Sequence, residues 1–331
     1  MSLLAALTWT VSPLIYDFGF FQLTWYGLLF ASGFVLGSFI LTRIYQAEQV
    51  APKWVDVITL YMLGGTVLGA RLGHCLFYDW DYYSQHPLEI FFVFPWAGLA
   101  SHGATLGILL ATWLFSRRHR FDYLWVLDRI VLVVAVGGAC IRLGNLLNSE
   151  IVGRPAQVPW ALVFPRDQDH LQAPTFPVPA GAVLVQPGHG PRWQKLELLP
   201  ADKPAPAGAL MAVPRHPTQV YEALFCVLLF VLLYRLWQKY REKTPRGLLF
   251  GLFVTLLFSF RFAVEFLKED QVAFEQGLVL NMGQLLSLPL IGLGVWVLLR
   301  AGKRAANPSG PTPREADSSV AVVLSPESSP A

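Results

Sequence analysis

The sequence is short of charged residues. Only 14% of its 331 residues are Asp, Glu, Lys or Arg, whereas 54% are hydrophobic. A soluble domain carries about 25% charged residues. Uncharged stretches near the ~20 residues that cross a bilayer recur along the chain. The composition therefore excludes a soluble globular protein and predicts a polytopic membrane protein.

Cysteine is also scarce. The three cysteines, Cys75, Cys140 and Cys226, lie in hydrophobic segments, and their odd number does not support a disulfide framework. No spaced Cys/His cluster indicates a metal, and no glycine-rich loop follows a strand pattern to indicate a nucleotide site. We expect no metal, no cofactor and no nucleic-acid partner. The first twenty residues lack Lys and Arg, so we expect no cleavable signal peptide there.

The apolar segments predict an all-α polytopic membrane protein with about seven transmembrane helices. They lie near Trp25–Leu41, Val57–Tyr78, Leu88–Phe115, Leu124–Leu147, Thr218–Leu236, Gly247–Leu267 and Met282–Leu299. Between the fourth and fifth helices, a Pro- and Gly-rich region with short apolar runs predicts a small external (periplasmic) head of loops and strands. We expect four parts: helices 1–4 in residues 1–147, the head in 148–217, helices 5–7 in 218–300, and a disordered cytoplasmic tail in 301–331.

The basic residues predict the orientation of these helices. They are concentrated in alternate loops, on one side of the membrane: Arg43, Lys53, Arg117, Arg118, Arg120, Arg235, Lys239, Arg241, Lys243, Arg246, Arg300, Lys303, Arg304 and Arg314. The short segments on the opposite side, 1–24, 79–87 and 268–281, hold only Lys268. Because basic loops stay in the cytoplasm, we expect the N-terminus outside and the C-terminus inside.

Among the charged residues within hydrophobic segments, four most need an explanation, namely Arg71, Arg142, Arg261 and Glu265. Each costs about 2.5–3.5 kcal/mol at mid-bilayer, so each needs a reason. Arg261 and Glu265 are four residues apart and share a helix face, where they either neutralise each other or serve a ligand. Arg142 either extends to the interface or forms part of a polar site.

The surroundings of Arg142 favour the polar site. Asn145 shares its helix face, and Asn148, Glu150 and Arg154 follow closely. His102 stands between small residues in the third segment, where it is either a packing residue or a functional one. The fifth segment opens with His216-Pro217, a sequence typical of a helix start, between Arg215 and Glu222. Guanidinium groups bind phosphate through paired donors, so a phosphate-bearing amphiphile such as a phospholipid is the predicted ligand.

These motifs resemble the bacterial prolipoprotein diacylglyceryl transferases from about Trp25 to Leu299. The most specific match is the run from Arg142 to Arg154, RLGNLLNSEIVGR. Six other motifs match in order: Trp25-Tyr26-Gly27, Gly69-Ala70-Arg71-Leu72-Gly73 with Phe77-Tyr78, Ser101-His102-Gly103, Arg215-His216-Pro217-Thr218-Gln219-Val220-Tyr221-Glu222, Phe260-Arg261-Phe262 with Glu265-Phe266, and Met282-Gly283-Gln284-Leu285-Leu286-Ser287.

The resemblance implies transfer of a diacylglyceryl group from phosphatidylglycerol to the lipobox cysteine thiol in the signal peptide of a prolipoprotein, without a cofactor, in the bacterial inner membrane. On this reading Arg142 and Arg261 stabilise the departing phosphate. His102 accepts the thiol proton, unless the arginine field alone lowers the thiol pKa. The remaining substrate-binding residues are Tyr26, Asn145, Glu150, Arg154, Glu222 and Glu265.

The chain departs from the family pattern in three respects. Ala104 stands where the family commonly has a second glycine, and Leu257 stands where well-known members have a tyrosine. The head is also longer than usual. Leu257 weakens any mechanism that needs a tyrosine at that position.

Two other classes of protein account for the same charges. A transporter lines its solute path with buried Arg, His and Glu, and the repeated Arg-Leu-Gly of the second and fourth helices is the feature that points to it. A non-catalytic scaffold uses such charges to hold helices together. Solute flux distinguishes the first from an enzyme, and tolerance of Lys in place of Arg142 or Arg261 distinguishes the second.

Overall fold

The computed structural model describes residues 7–92, 98, 100–186, 196–200, 206–269 and 280–301. It is mainly helical. In chain order its elements are β1 Leu7–Thr8, β2 Leu14–Asp17, β3 Gln22–Thr24, α1 Trp25–Ala47, α2 Lys53–Phe77, α3 Trp80–Tyr83, α4 Glu89–Phe92, α5 Ser101–His119, α6 Tyr123–Leu147, β4 Leu162–Val163, β5 Val183–Gln186, β6 Glu197–Leu199, β7 Leu210–Ala212, β8 Pro214–Arg215, α7 Thr218–Tyr240, α8 Leu248–Glu265 and α9 Met282–Ala301.

Six of the helices in the described ranges are long and apolar enough to cross a membrane. They are α1, α2, α6, α7, α8 and α9, and each coincides with a segment predicted from hydrophobicity. Many of their large apolar side chains are exposed, as expected where lipid replaces a protein neighbour. The prediction of a polytopic helical membrane protein is confirmed.

The third predicted helix, Leu88–Phe115, is wrong as a single element. The structure has the short α4 and then α5, which begins only at Ser101. Gly98 has φ +77°, and Ala100 is extended with φ −97° and ψ 125°, so neither continues a helix. Hydrophobicity gives no sign of this break because both sides of it are apolar. The predicted count of seven rests on α5, which at 19 residues is long enough to span a membrane but is less apolar than the other six helices.

The chain divides into two compact units, each assembled from separate stretches. The first unit comprises Met1–Val35, Val134–Leu232 and Phe253–Val295, and the second comprises Leu36–Val133, Leu233–Leu252 and Trp296–Ala331. Most of the predicted site residues fall in the first unit. The division of the chain into four consecutive parts stays a prediction. The disordered tail also stays a prediction, because residues 302–331 lie outside the described residues.

The predicted head contains two small sheets within the first unit. In one, β4 pairs with β1 in parallel and with β8 antiparallel; in the other, β5 lies between β6 and β7. The apolar runs seen in the sequence supply β4 and β5, whose buried side chains Val163 and Val185 pack with Ala212. A second cluster joins Leu146, at the end of α6, to Phe164. This cluster fixes the base of the head to the helix that carries Arg142.

Helices α2 and α5 of the second unit pack through glycines. A Cβ atom added to Gly69 would lie 2.5 Å from the carbonyl oxygen of Gly103, and one added to Gly73 would lie 2.6 Å from the Gly103 Cα. Small residues at such a contact let two backbones approach closely. Gly103, the neighbour of His102, therefore allows α2 and α5 to approach closely.

Candidate functional site

Arg142 lies on α6, one turn before the helix ends, and its guanidinium has two polar neighbours. Nε lies 3.2 Å from Oε2 of Glu222 on α7. Nη1 contacts Oδ1 of Asn145 at 3.5 Å, as the shared helix face predicts. The side chain stays 20% exposed, whereas that of Glu222 is 7% exposed. Arg142 is thus held on one edge and open on another.

The loop after α6 presents Glu150 to two asparagines. Asn148 donates a hydrogen bond to one carboxylate oxygen at 3.2 Å, and Asn145 contacts the other at 3.5 Å. The flanking residues Ser149 and Ile151 have φ of 54° and 55°, a conformation that non-glycine residues seldom adopt. Such strained backbone persists when its surroundings fix it, and here the start of α7 does so.

Two residues of α7 fix this loop. The Thr218 hydroxyl donates to the carbonyl of Ile151 at 2.9 Å, and the Gln219 amide donates to the carbonyl of Glu150 at 2.6 Å. Both donors are fully buried. The loop that carries Glu150 is therefore held by the helix that carries Glu222.

Arg154 donates hydrogen bonds to backbone carbonyl groups of the segment that follows α8. Its Nε donates to the Lys268 carbonyl at 2.9 Å and its backbone N–H donates to the Leu267 carbonyl at 2.7 Å. Gly153 beside it donates to the His216 carbonyl at 3.0 Å. A Cβ atom on Gly153 would lie 2.6 Å from that same oxygen. Arg154 thus acts as a tie between segments in this structure.

Arg215 makes a second set of ties nearby. Its Nη1 binds Glu269 Oε1 at 2.7 Å and the Gly153 carbonyl at 3.1 Å, and its Nη2 donates to the carbonyl of His170. The His170 ring lies 2.8 Å from Asp167. Burial raises the pKa of Asp167, while His170 and Arg215 act in the opposite direction. These groups stabilise the head beside the site.

Lys268 joins two of the predicted site residues and is itself absent from the predicted set. Its Nζ lies 2.9 Å from Glu222 Oε1 and 3.4 Å from Glu265 Oε2. Its side chain is only 2% exposed. The sequence did contain a signal, because Lys268 is the one cation in the short segments opposite the basic loops.

The mutual neutralisation of Arg261 and Glu265 is not found. The Glu265 carboxylate pairs with Lys268, and its side chain packs on Gly283 of α9, where an added Cβ would lie 2.8 Å from it. Within the described part of the chain Arg261 has neither a hydrogen bond nor an ion pair, although it is half-buried. Its guanidinium is therefore available to a ligand.

Tyr26 is placed by close contact with α6. A Cβ atom on Gly144 would lie 2.7 Å from the tyrosine ring, so glycine is required for this approach. The ring is half-buried. Tyr26 thus lies against the same turn of α6 that carries Arg142 and Asn145.

His102 belongs to the second unit, near the start of α5. Its ring contacts those of Phe77 and Tyr78, with centroids 5.1 and 5.7 Å apart. Among the residues that the structure describes, no hydrogen bond involves the ring nitrogens of His102. The structure thus places His102 among aromatic rings.

Arg71 of the second unit has a structural explanation. Its guanidinium donates to the carbonyls of Ile90 and Glu89 at 3.0 and 3.3 Å and to the Tyr83 hydroxyl at 3.1 Å. It also lies 4.9 Å from the centre of the Tyr83 ring. A buried arginine that binds helix-end carbonyls holds the chain between α3 and α4 in place.

The structure therefore places eight predicted residues in one unit: Tyr26, Arg142, Asn145, Glu150, Arg154, Glu222, Arg261 and Glu265. In the described ranges, no group of three or more His, Cys, Asp or Glu side chains is arranged to hold a metal ion. What the cluster offers instead is guanidinium and ammonium charge, partly compensated by buried carboxylates. Such a set suits an anionic ligand.

Comparison with known proteins agrees with this geometry. A family model for the prolipoprotein diacylglyceryl transferases matches residues 13–300. A phosphatidylglycerol–prolipoprotein diacylglyceryl transferase of Porphyromonas gingivalis is 38% identical over 92% of this chain and 97% of its own length. Proteins of the same name from Tolumonas auensis and Chloroherpeton thalassium are 36% and 38% identical, over 91% and 90% of this chain and 99% and 95% of theirs. The chain belongs to the prolipoprotein diacylglyceryl transferase family.

Proposed function

We propose that this protein transfers the diacylglyceryl group of phosphatidylglycerol to the lipobox cysteine thiol of a prolipoprotein. The reaction is the first step of lipoprotein maturation. In it, the bond between the diacylglyceryl carbon and its phosphate oxygen breaks, and that carbon forms a new bond to the cysteine sulfur. The thiol loses its proton, and glycerol phosphate is the leaving group. The observation that carries this proposal is the partly open Arg142 guanidinium in a member of this family.

Negative charge develops on the phosphate as it leaves, and the site must stabilise that charge. Preorganised cations stabilise developing negative charge more than water does, because they need not reorient. Glu222 lies at Nε of Arg142 and Asn145 lies at Nη1, so the exposed part of the guanidinium, with Nη2, can donate to phosphate oxygens. Arg261, unpaired within the described residues, supplies the second guanidinium.

The thiol of the substrate is the nucleophile, and it reacts as the thiolate. A free thiol with a pKa near 8.5 is only a few per cent ionised at neutral pH, so a base assists. We assign this role to His102, as the resemblance of its Ser101-His102-Gly103 motif to the family implies. Tyr26, Asn145, Glu150, Arg154, Glu222 and Glu265 position the lipid headgroup or the two arginines.

The protein acts in the bacterial inner membrane, with its N-terminus outside and its C-terminus in the cytoplasm. The distribution of basic residues supports this orientation. It brings the start of α7 and the end of α6 to the outer half of the membrane. The lipobox cysteine of an exported signal peptide is reached from that side.

A direct test uses purified protein in phosphatidylglycerol vesicles with a lipobox peptide, and the mass of the peptide is read. We expect a diacylglyceryl gain on cysteine. Arg142→Lys and Arg261→Lys each lower kcat by about 10²–10³-fold, because Lys does not reproduce paired donation. Arg118→Lys, at an exposed position, serves as the matched control.

Each variant is first checked for an unchanged thermal unfolding midpoint in detergent. Well-folded wild-type protein that leaves the peptide mass unchanged contradicts the transferase proposal. Full activity in both Lys variants would contradict the roles given to the two arginines while leaving the transfer itself intact.

A further inference from the structure

Lys268 is the most buried charged group of the first unit's site. It follows α8 by three residues, and its ammonium group binds carboxylates from two helices, Glu222 of α7 and Glu265 of α8. All three side chains are at most 7% exposed. A buried carboxylate needs a partner, so the two glutamates depend on this cation.

The Glu222 carboxylate is shared between two cations. Oε1 lies 2.9 Å from Lys268 Nζ, and Oε2 lies 3.2 Å from Arg142 Nε. Glu222 thus divides its charge between a fully buried ammonium and a guanidinium that is 20% exposed. Whatever weakens its bond to Lys268 leaves Arg142 as its remaining cation.

The backbone of Lys268 is fixed independently of its ammonium group. Its carbonyl accepts from Arg154 Nε at 2.9 Å, and it forms an isolated antiparallel bridge with Gly153. The loop that follows α6 therefore sets where the Lys268 side chain begins. This arrangement couples the loop of Glu150 and Arg154 to the two buried carboxylates.

We propose that Lys268 is a positioning residue of the transferase reaction, which holds Glu222 and Glu265 so that Arg142 remains open to the phosphate of the lipid substrate. This inference rests on the proposed function. Arg142 and Lys268 share the Glu222 carboxylate. Without Lys268, Glu222 faces Arg142 as its remaining cation, and an anionic ligand then competes with Glu222 for that guanidinium.

The test is a double-mutant cycle in which KM for phosphatidylglycerol and kcat are measured separately. Lys268→Met raises KM by at least about tenfold, the factor expected for one lost charge-assisted hydrogen bond. Adding Glu222→Gln to Lys268→Met removes the competing charge and recovers most of this KM. Lys268→Arg, which keeps the charge, stays close to wild type.

If the role of Lys268 were purely structural, Lys268→Met would yield less folded protein, but the KM of the folded fraction would not change. The double variant would then yield still less folded protein. That result overturns the proposal, as does an unchanged KM in well-folded Lys268→Met. In both outcomes the wild-type protein still modifies the peptide. A failure of the proposed function is different, because the wild-type protein itself would then leave the peptide unmodified. Binding of radiolabelled glycerol phosphate gives a second readout and should weaken in the same variants.

Discussion

The close contacts between loops of this protein depend on single residues. Gly153 is the clearest case, because the His216 and Leu267 carbonyls would lie 2.6 and 2.8 Å from an added Cβ. Real Cβ atoms do not approach backbone oxygens so closely. The hydrogen bonds of Gly153 and Arg154 with these two segments depend on the absence of a side chain.

Gly153→Ala is therefore expected to destabilise the fold by about 1–3 kcal/mol, the usual cost of overpacking. Its thermal unfolding midpoint in detergent should fall. Gly64→Ala is the matched control, since an added Cβ there meets nothing within 4 Å and alanine favours a helix. Equal midpoints for the two variants would contradict the steric argument.

The sequence predicted those site residues that are close together along the chain. Asn145 follows Arg142 by one turn and Glu150 follows in the next loop, so helix geometry alone brings them together. The contact of Lys268 with Glu222 could not be predicted in this way because the two residues are 46 positions apart. For Arg261 and Glu265 the spacing left two alternatives open, and the structure pairs Glu265 with Lys268 instead.

At the scale of elements, α8 begins with a cap supplied by another helix. Asp128, buried on α6, accepts backbone hydrogen bonds from Gly247 at 2.7 Å and from Phe250 at 2.8 Å. The first N–H groups of a helix lack partners within it, and a carboxylate also suits the positive end of the helix dipole. The sequence shows no nearby capping residue, so this contact was not predicted.

Replacing Asp128 with Ala should lower the free energy of unfolding by about 1–3 kcal/mol, because the N–H groups of Gly247 and Phe250 lose their acceptor. Hydrogen exchange of the amides at the start of α8 should increase. Asp56→Ala, an exposed change in the first turn of α2, should leave both quantities near those of wild type. Unchanged exchange in Asp128→Ala would contradict the capping role.

At the scale of the whole molecule, hydrophobicity predicted the helices well because lipid demands about twenty apolar residues in each. It failed between Leu88 and Ser101, where the chain stays apolar but Gly98 turns it away from helical geometry. It also gave no account of which helices touch. Those contacts depend on particular glycines and buried charges, which a hydropathy profile averages out.

The orientation of the molecule can be measured with single cysteines. The native cysteines are buried, so we expect little background reaction with a membrane-impermeant maleimide. Thr175→Cys, exposed in the head, should react in intact cells. Glu242→Cys, exposed between α7 and α8, should react only after the membrane is permeabilised. The opposite pattern would reverse the proposed topology.

The parallel pairing of β1 with β4 has a consequence for biosynthesis. Leu7 pairs with Leu162, which the ribosome adds 155 residues later (162 − 7 = 155). At about 5–20 residues per second, the first strand waits about 8–30 s for its partner. During that interval α1, α2, α5 and α6 are all synthesised. The N-terminal strand therefore completes the head sheet only after three of the six candidate membrane helices, α1, α2 and α6, have been synthesised, and until then its backbone groups lack their β4 partners.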